Sequence, residues 1–177
     1  TKLSAIDAKL GSSWLTGAVE LGPDLLPTGK LNAKLADLAT LSRLAGQKVG
    51  GDLDLAVDLK ASGGKLAALV SGSGSRMEAQ GAILTSPSLR FESQDVFGQL
   101  VKGEFKAASL AAAGNTIENL ALSVDHRGLQ TALVVDGRFD GAPLVAVADI
   151  QRGPAGVDIM LRDLRAAPRG VALALAE

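Results

Sequence analysis

The sequence predicts an all-β fold, an antiparallel meander of roughly a dozen short strands. Three observations carry this. Apolar and polar residues alternate with a period of two in segment after segment, which suits a half-buried strand and not a helix. Glycine-containing turn signals recur at hairpin spacing. The apolar content is 47%, yet aromatics make up only 3%, with one Trp, four Phe and no Tyr, so Leu, Val and Ala supply nearly all the buried surface.

Taken in chain order, Leu15-Thr16-Gly17-Ala18-Val19-Glu20-Leu21 and Lys30-Leu31-Asn32-Ala33-Lys34-Leu35 read as the first strands. From Asp37 the rhythm changes, because Leu38, Leu41 and Leu44 stand three apart, with Asp37 as N-cap and Gly46 past the end. That spacing predicts one short helix near 38–45. In Gly51-Asp52-Leu53-Asp54-Leu55-Ala56-Val57-Asp58-Leu59-Lys60 every second residue is apolar. A strand there puts Leu53, Leu55, Val57 and Leu59 on one face and Asp52, Asp54, Asp58 and Lys60 on the other, overriding the helix propensity of Leu and Ala. Further strands are predicted at Leu89 to Glu92, Leu120 to Asp125, Leu129 to Val135, Val157 to Arg162 and Val171 to Ala176. Turns are expected at Gly63-Gly64, Gly72-Ser73-Gly74, His126-Arg127-Gly128, Asp140-Gly141 and Arg152-Gly153-Pro154. Asp95 to Val101 is a weaker helical echo interrupted by Gly98, and with its flanking strands it hints at a repeat of the 31–59 region.

Composition excludes several function classes. Eighteen basic and nineteen acidic residues give a formal charge of -1, and the basic residues are scattered, so no nucleic-acid footprint is present. The absence of cysteine excludes disulfides, thiolate chemistry and cysteine-based zinc sites. No signal peptide and no uninterrupted apolar run of about 18 residues is found. Thr1 at the start and the strand-like ending before Glu177 point to a single segment, 1–177, of a longer repetitive protein.

The chemistry inventory is thin. His126 is the only histidine, so histidine metal clusters are ruled out, and its setting in Asp125-His126-Arg127-Gly128 predicts a solvated turn residue more readily than a catalytic base. Gly72-Ser73-Gly74-Ser75 lacks the strand-to-helix setting of a nucleophile elbow, and no Walker loop or dinucleotide fingerprint occurs. Asp52, Asp54 and Asp58 suggest calcium or a glycosidase pair only superficially, since strict alternation with apolar residues marks the wet side of a strand. Trp14 is either a membrane-interface anchor or a packed edge residue, with packing favoured. No enzyme activity and no cofactor are expected.

A closed sandwich would seal the apolar rows, whereas a meander curled into a trough would leave them open to a ligand; periodicity leaves both readings standing. A smooth wall of Leu, Val and Ala suits a sliding acyl chain. Each CH₂ kept from water is worth about 0.8 kcal/mol, so a chain of roughly sixteen carbons costs on the order of 12 kcal/mol to expose.

Several stretches have a familiar texture: Leu89-Arg90-Phe91-Glu92-Ser93-Gln94-Asp95-Val96-Phe97-Gly98, Gly103-Glu104-Phe105-Lys106-Ala107-Ala108-Ser109-Leu110, Gly141 to Ala148, Leu161 to Leu173, and Leu38 to Gly46. In order and style they resemble the TamB family, the inner-membrane-anchored component of the translocation and assembly module. The resemblance implies an elongated, U-shaped (β-taco) periplasmic structure with a hydrophobic interior. It also implies an inner-membrane anchor outside this chain, and a role in outer-membrane biogenesis through phospholipid carriage and assistance to secreted and outer-membrane proteins. An outer-membrane barrel partner of the TamA type, reached through the full-length protein, is implied as well. On this reading Leu53, Leu55, Val57, Leu59, Leu120, Leu122, Val124, Leu133 and Val135 line a shared groove for phospholipid or another amphipathic ligand. Two alternatives stand beside it: a chaperone-like groove or edge binding the β-strands of outer-membrane and autotransporter clients, and an inert β-sandwich spacer.

Overall fold

The computed structural model describes residues 2–40, 48–153, 156–167 and 173–174. Among the described residues the chain is all-β, 79% strand, and forms one open antiparallel sheet of 15 strands. These are β1 (Lys2–Leu10), β2 (Ser13–Leu21), β3 (Pro27–Leu35), β4 (Val49–Gly51), β5 (Leu53–Ser62), β6 (Lys65–Ser73), β7 (Arg76–Ala79) and β8 (Ala82–Thr85), followed by β9 (Ser88–Asp95), β10 (Leu100–Ala112), β11 (Asn115–Arg127), β12 (Gln130–Phe139), β13 (Ala142–Gly153), β14 (Gly156–Ala166) and β15 (Leu173–Ala174). The main path runs β1-β2-β3-β5-β6-β9-β10-β11-β12-β13-β14-β15, so nearly every strand pairs with its neighbour in sequence.

Hairpin chemistry explains that order. Gly63-Gly64, Gln80-Gly81, Ala113-Gly114 and Asp140-Gly141 each hold two consecutive positive φ angles, the backbone of a type I′ turn, whose twist matches that of the strands it joins. Two of these turns were expected; Gln80-Gly81 and Ala113-Gly114 were not. The other expected turns need correction. His126 and Arg127 belong to β11, and the chain reverses at Gly128-Leu129. Gly72 and Ser73 belong to β6. Arg152 and Gly153 end β13, while Pro154 lies outside the described residues.

Residues 49–62, 65–79 and 82–95 behave as three long strands, each interrupted near its middle. β8 and β9 lie along the same edge of β10, and Ser109↔Thr85 and Lys106↔Ser88 keep one register across the break. Between β4–β5 and β6–β7, Gly51↔Met77 is followed by Asp54↔Ser73, three steps on one chain against four on the other. That difference is a β-bulge with its extra residue on the β6–β7 side. The interruptions line up across the sheet, linked by hydrogen bonds from Asp52 N to Arg76 O (3.1 Å), Gly74 N to Pro87 O (2.9 Å) and Ser86 N to Ser75 O (2.8 Å).

Asp52 pins this line. Its carboxylate accepts hydrogen bonds from Ser75 N (2.9 Å), Arg76 N (3.3 Å) and the Ser75 hydroxyl. Asp52 therefore does not join Asp54 and Asp58 in a strand-face array, as its place in the alternation suggested; it satisfies the amides that the bulge leaves unpaired.

Only Leu38–Thr40 are helical among the described residues. Asp37 caps that turn, accepting from Ala39 N (2.9 Å) and the Thr40 hydroxyl (2.8 Å), and Leu38 is buried. The remainder of the expected helix, 41–45, lies outside the described residues. The helical echo at Asp95 to Val101 is instead a tight turn joining β9 to β10, closed by Gly98 N to Asp95 Oδ1 (3.1 Å). It is therefore no counterpart of the long connection between β3 and β5, and the suggested repeat has no structural basis there.

Removing the bulge clamp tests its role. Asp52→Ala is expected to cost about 1 kcal/mol, a net value for exposed hydrogen bonds to a carboxylate, seen as a Tm lower by roughly 2–4 °C. The Ser75 hydroxyl first, then the Ser75 and Arg76 amides, lower the Asp52 pKa. The clamp is thus fully present above the ordinary carboxylate range and is lost as pH falls through the depressed folded value. Thermal melts of the two proteins should accordingly converge in acid; a difference that persists there contradicts the clamp.

Candidate functional site

In an antiparallel pair, residues directly opposite each other share a face. Following the register from strand to strand therefore assigns faces without further assumption. One row runs Ala8, Leu15, Ala33, Leu55, Gly72, Leu89, Phe105, Leu122, Val135, Ala146, Leu164. The next runs Ile6, Gly17, Leu31, Val57, Val70, Phe91, Gly103, Val124, Leu133, Ala148, Leu161. Leu59 heads a third row through Ala68, Ser93 and Val101; Leu53 stands opposite Leu35, and Leu120 opposite Ala107. All nine residues proposed from the sequence thus lie on one face. Leu89, Phe91, Phe105 and Leu31 share it and were not singled out, although the same alternation marks them.

Phe91 and Gly103 show how this face packs. A Cβ on Gly103 would sit 2.1 Å from the Phe91 ring, so the ring lies flat over the glycine opposite. An aromatic over a strand glycine restores the contact that the missing side chain forgoes.

Shielding on this face is partial. Every buried strand residue, including Ser13, Leu66, Ser93, Ala107, Leu120 and Ala148, belongs to it, yet no side chain among the described residues is less than 2% exposed. Leu120 is buried at 9% exposure, and the other eight candidates are half-buried. The accessible surface of the chain is 11463 Å². A compact monomer of 18.0 kDa would expose about 8,000 Å². Two interlocked layers would leave fully buried side chains and a smaller surface. Ser93 is the one polar misfit, for its buried Oγ has no hydrogen-bond partner among the described residues.

The apolar face continues past an odd spacing on β11. Ala107 and Leu110 stand three apart on β10, as do Ile117 and Leu120 on β11, and these are register partners: Ala107↔Leu120 and Leu110↔Ile117. In a regular strand an odd spacing would move the side chain to the opposite face, but Glu118↔Arg138 is followed by Ala121↔Asp136, a β-bulge whose extra residue on β11 keeps Ile117 on the side of Leu120 and Leu122. Met77, Leu84, Leu110, Ile117 and Phe139 form a further row by register. Phe139, four residues from Val135, puts its β12 end on the apolar face, where Ile117 Cγ2 would lie 3.0 Å from a Cβ on Gly137.

The second face is polar. Lys34 pairs with Asp54 (3.5 Å), Lys30 with Asp58 (3.6 Å) and Lys102 with Asp125 (3.7 Å), across adjacent strands. Asp125 also receives two hydrogen bonds from Arg127, both 3.0 Å, and the Arg127 guanidinium holds its carboxyl below the usual range. A depression of about 580 Å³ on this side is lined by Asp125, Arg127, Asp149, Asp158 and Arg162 among others. Among the described residues no group of three His, Asp or Glu is arranged to hold a metal. Trp14 is half-buried on the polar face, opposite Lys9 and Lys34. His126 needs correction: it is a half-buried strand residue, its Nδ1 2.8 Å from the Thr131 hydroxyl, and not a solvated turn residue.

Two substitutions measure how open the apolar face is. Leu122→Ala and Val135→Ala are expected to cost about 1–2 kcal/mol each by urea unfolding, below the 2–5 kcal/mol of a packed core leucine; core-sized losses would indicate sealed layers. Ser93→Ala removes an unsatisfied hydroxyl and is expected to be neutral or stabilising by up to about 1 kcal/mol, whereas clear destabilisation would reveal a partner for that oxygen.

No protein-family model, curated protein or solved structure matches the chain.

Proposed function

We propose that this chain is a segment of a TamB-like envelope protein whose sheet curls into a U-shaped groove and shields phospholipid acyl chains in passage between the inner and outer membranes. The observation that carries the reading is the continuity of the half-shielded Leu/Val/Ala rows across eleven successive strands on one side of a single sheet. With strands of eight to thirteen residues and neighbours about 4.8 Å apart, such a face spans at least about 26 Å along the strands and about 50 Å across them. That is ample for an acyl chain.

The physics of the step is simple. An exposed acyl chain pays the hydrophobic cost of each methylene, about 0.8 kcal/mol, and an apolar track lowers that cost evenly along its length. Because its side chains are aliphatic, the track offers few hydrogen bonds that would fix one lipid in one place. Movement along it needs no bond-making chemistry by the protein. On this proposal the segment lies in the periplasm, an anchor elsewhere in the protein holds it to the inner membrane, and a TamA-type barrel is the outer-membrane partner.

Photo-crosslinking to a phospholipid carrying a photoreactive acyl chain tests the reading. Leu55→Arg and Leu122→Arg place a cation in the apolar rows and are expected to reduce labelling roughly tenfold, equivalent to 1.4 kcal/mol of lost binding. Ala56→Arg and Ser123→Arg, on the opposite face, should leave it unchanged. Undiminished labelling of the first pair would remove the groove from consideration.

A further inference from the structure

We infer that the apolar face ends in a head-group site, where His126, Thr131 and Arg152 receive the phosphate of a phospholipid whose tails lie on the adjoining Leu/Val rows. The inference rests on the groove reading above and adds to it the place and orientation of the ligand. The two rows that pass through Leu122 and through Val124 contain no hydrogen-bonding side chain. The row headed by Leu59 does, for it runs Leu59, Ala68, Ser93, Val101, His126, Thr131, Ile150, Ile159. His126 and Thr131 stand directly opposite each other in it, and His126 Nδ1 lies 2.8 Å from the Thr131 hydroxyl. Ser93 shares the row, but its Oγ is enclosed and takes no part.

Arg152 completes the series. Ala148, Ile150 and Arg152 alternate down β13 without a bulge, so the Arg152 side chain leaves the sheet on the apolar side, where it is exposed. Thr131 pairs with Ile150, which sets Arg152 diagonally across from Thr131 with the two Cβ atoms about 7 Å apart, within reach of a long side chain. Every other charged residue in the described strands lies off these rows; Asp54, Asp58, Lys102, Asp125, Asp149 and Asp158 all belong to the other side. Arg152 is therefore the one charge on the apolar side among the described strand residues, and no carboxylate of those strands faces it there. Along β12 the side passes from Val135 and Leu133 to Thr131, and along β13 from Ala146 and Ala148 to Ile150 and Arg152, in steps of about 6.7 Å. That gradient has the polarity of an amphipath. An acyl chain covers the uncharged rows, where a buried charge would be costly, and the head falls where hydrogen-bonding groups begin, beside the Gly128-Leu129 reversal. A phosphate suits the site better than a carboxylate, because a guanidinium occupies two oxygens in a bidentate pair and a phosphate still has oxygens left for imidazole and hydroxyl.

His126 is the only histidine, so its ring protons give isolated NMR signals at the site itself. Dodecyl phosphate and dodecyl maltoside, both below their micelle-forming concentrations, offer one tail with two heads, and inorganic phosphate offers the head alone. Dodecyl phosphate is expected to shift the His126 signals and to bind roughly tenfold more tightly than dodecyl maltoside, the scale of a hydrogen-bonded charge pair. Inorganic phosphate should bind far more weakly than dodecyl phosphate. Arg152→Gln should bring dodecyl phosphate down to the affinity of dodecyl maltoside and leave the maltoside affinity unchanged. If neither amphiphile binds, the groove reading falls and the head-group site with it. If both bind equally and the His126 signals stay in place, or if Arg152→Gln keeps the preference for dodecyl phosphate, the groove stands and the head-group site is overturned. Inorganic phosphate binding as tightly as dodecyl phosphate would mark a site for free phosphate and overturn the lipid head as its ligand.

Discussion

The backbone ladder is the constraint on which everything else rests. Antiparallel pairing fixes which residues stand opposite each other, and the period of two then fixes which face each side chain occupies. Over eleven strands the pairing carries one face from Ala8 to Leu164. A slip of one residue anywhere along that path would turn the Leu and Val of the next strand toward Lys, Asp and Glu. The tight hairpins guard against it, since a two-residue type I′ turn leaves no slack in the register it sets.

Energy in a single sheet is distributed differently from that in a layered domain. No second layer buries the Leu/Val face to core levels, so each residue there contributes part of a full hydrophobic transfer. The ion pairs of the other face are solvent-exposed and individually worth little. What they supply is specificity: Lys34–Asp54, Lys30–Asp58 and Lys102–Asp125 bridge adjacent strands in the native register and would oppose a slipped one. The cost of this economy is surface, and an unsealed apolar face asks for an occupant. The proposed lipid track answers that demand along the face.

Much of this was legible in the residues, because alternation is a local signal. The run from Leu53 to Lys60 and the run from Leu120 to Asp125 state both their strands and the sides of those strands directly. The resolved helical turn was legible through Asp37, which has the geometry of a cap. What was not legible depended on distant partners. Asp52 looks like one more polar residue in an alternating run, and only the neighbouring strand, with its extra residue at Ser75-Arg76, turns it into a clamp. His126 looks like part of a turn because Gly128 follows; the reversal falls two residues later than its polar neighbours suggest. The bulge on β11 did leave a trace, in the three-residue spacing from Ile117 to Leu120. That spacing alone is noise, and its meaning comes from β12, where Arg138 and Asp136 stand opposite Glu118 and Ala121.

Site-directed spin labelling along β11 tests the central claim most directly. Single nitroxides at positions 120 to 126 report, in turn, collision with dissolved oxygen, which prefers apolar surroundings, and with a charged nickel chelate, which prefers water. The account predicts alternation with a period of two. Labels at 122 and 124 should be mobile and oxygen-accessible, gaining oxygen access and losing chelate access when phospholipid is added, while labels at 121, 123 and 125 stay in water throughout. Immobile labels at 122 and 124 that neither reagent reaches, with or without lipid, would show a sealed interior and contradict it.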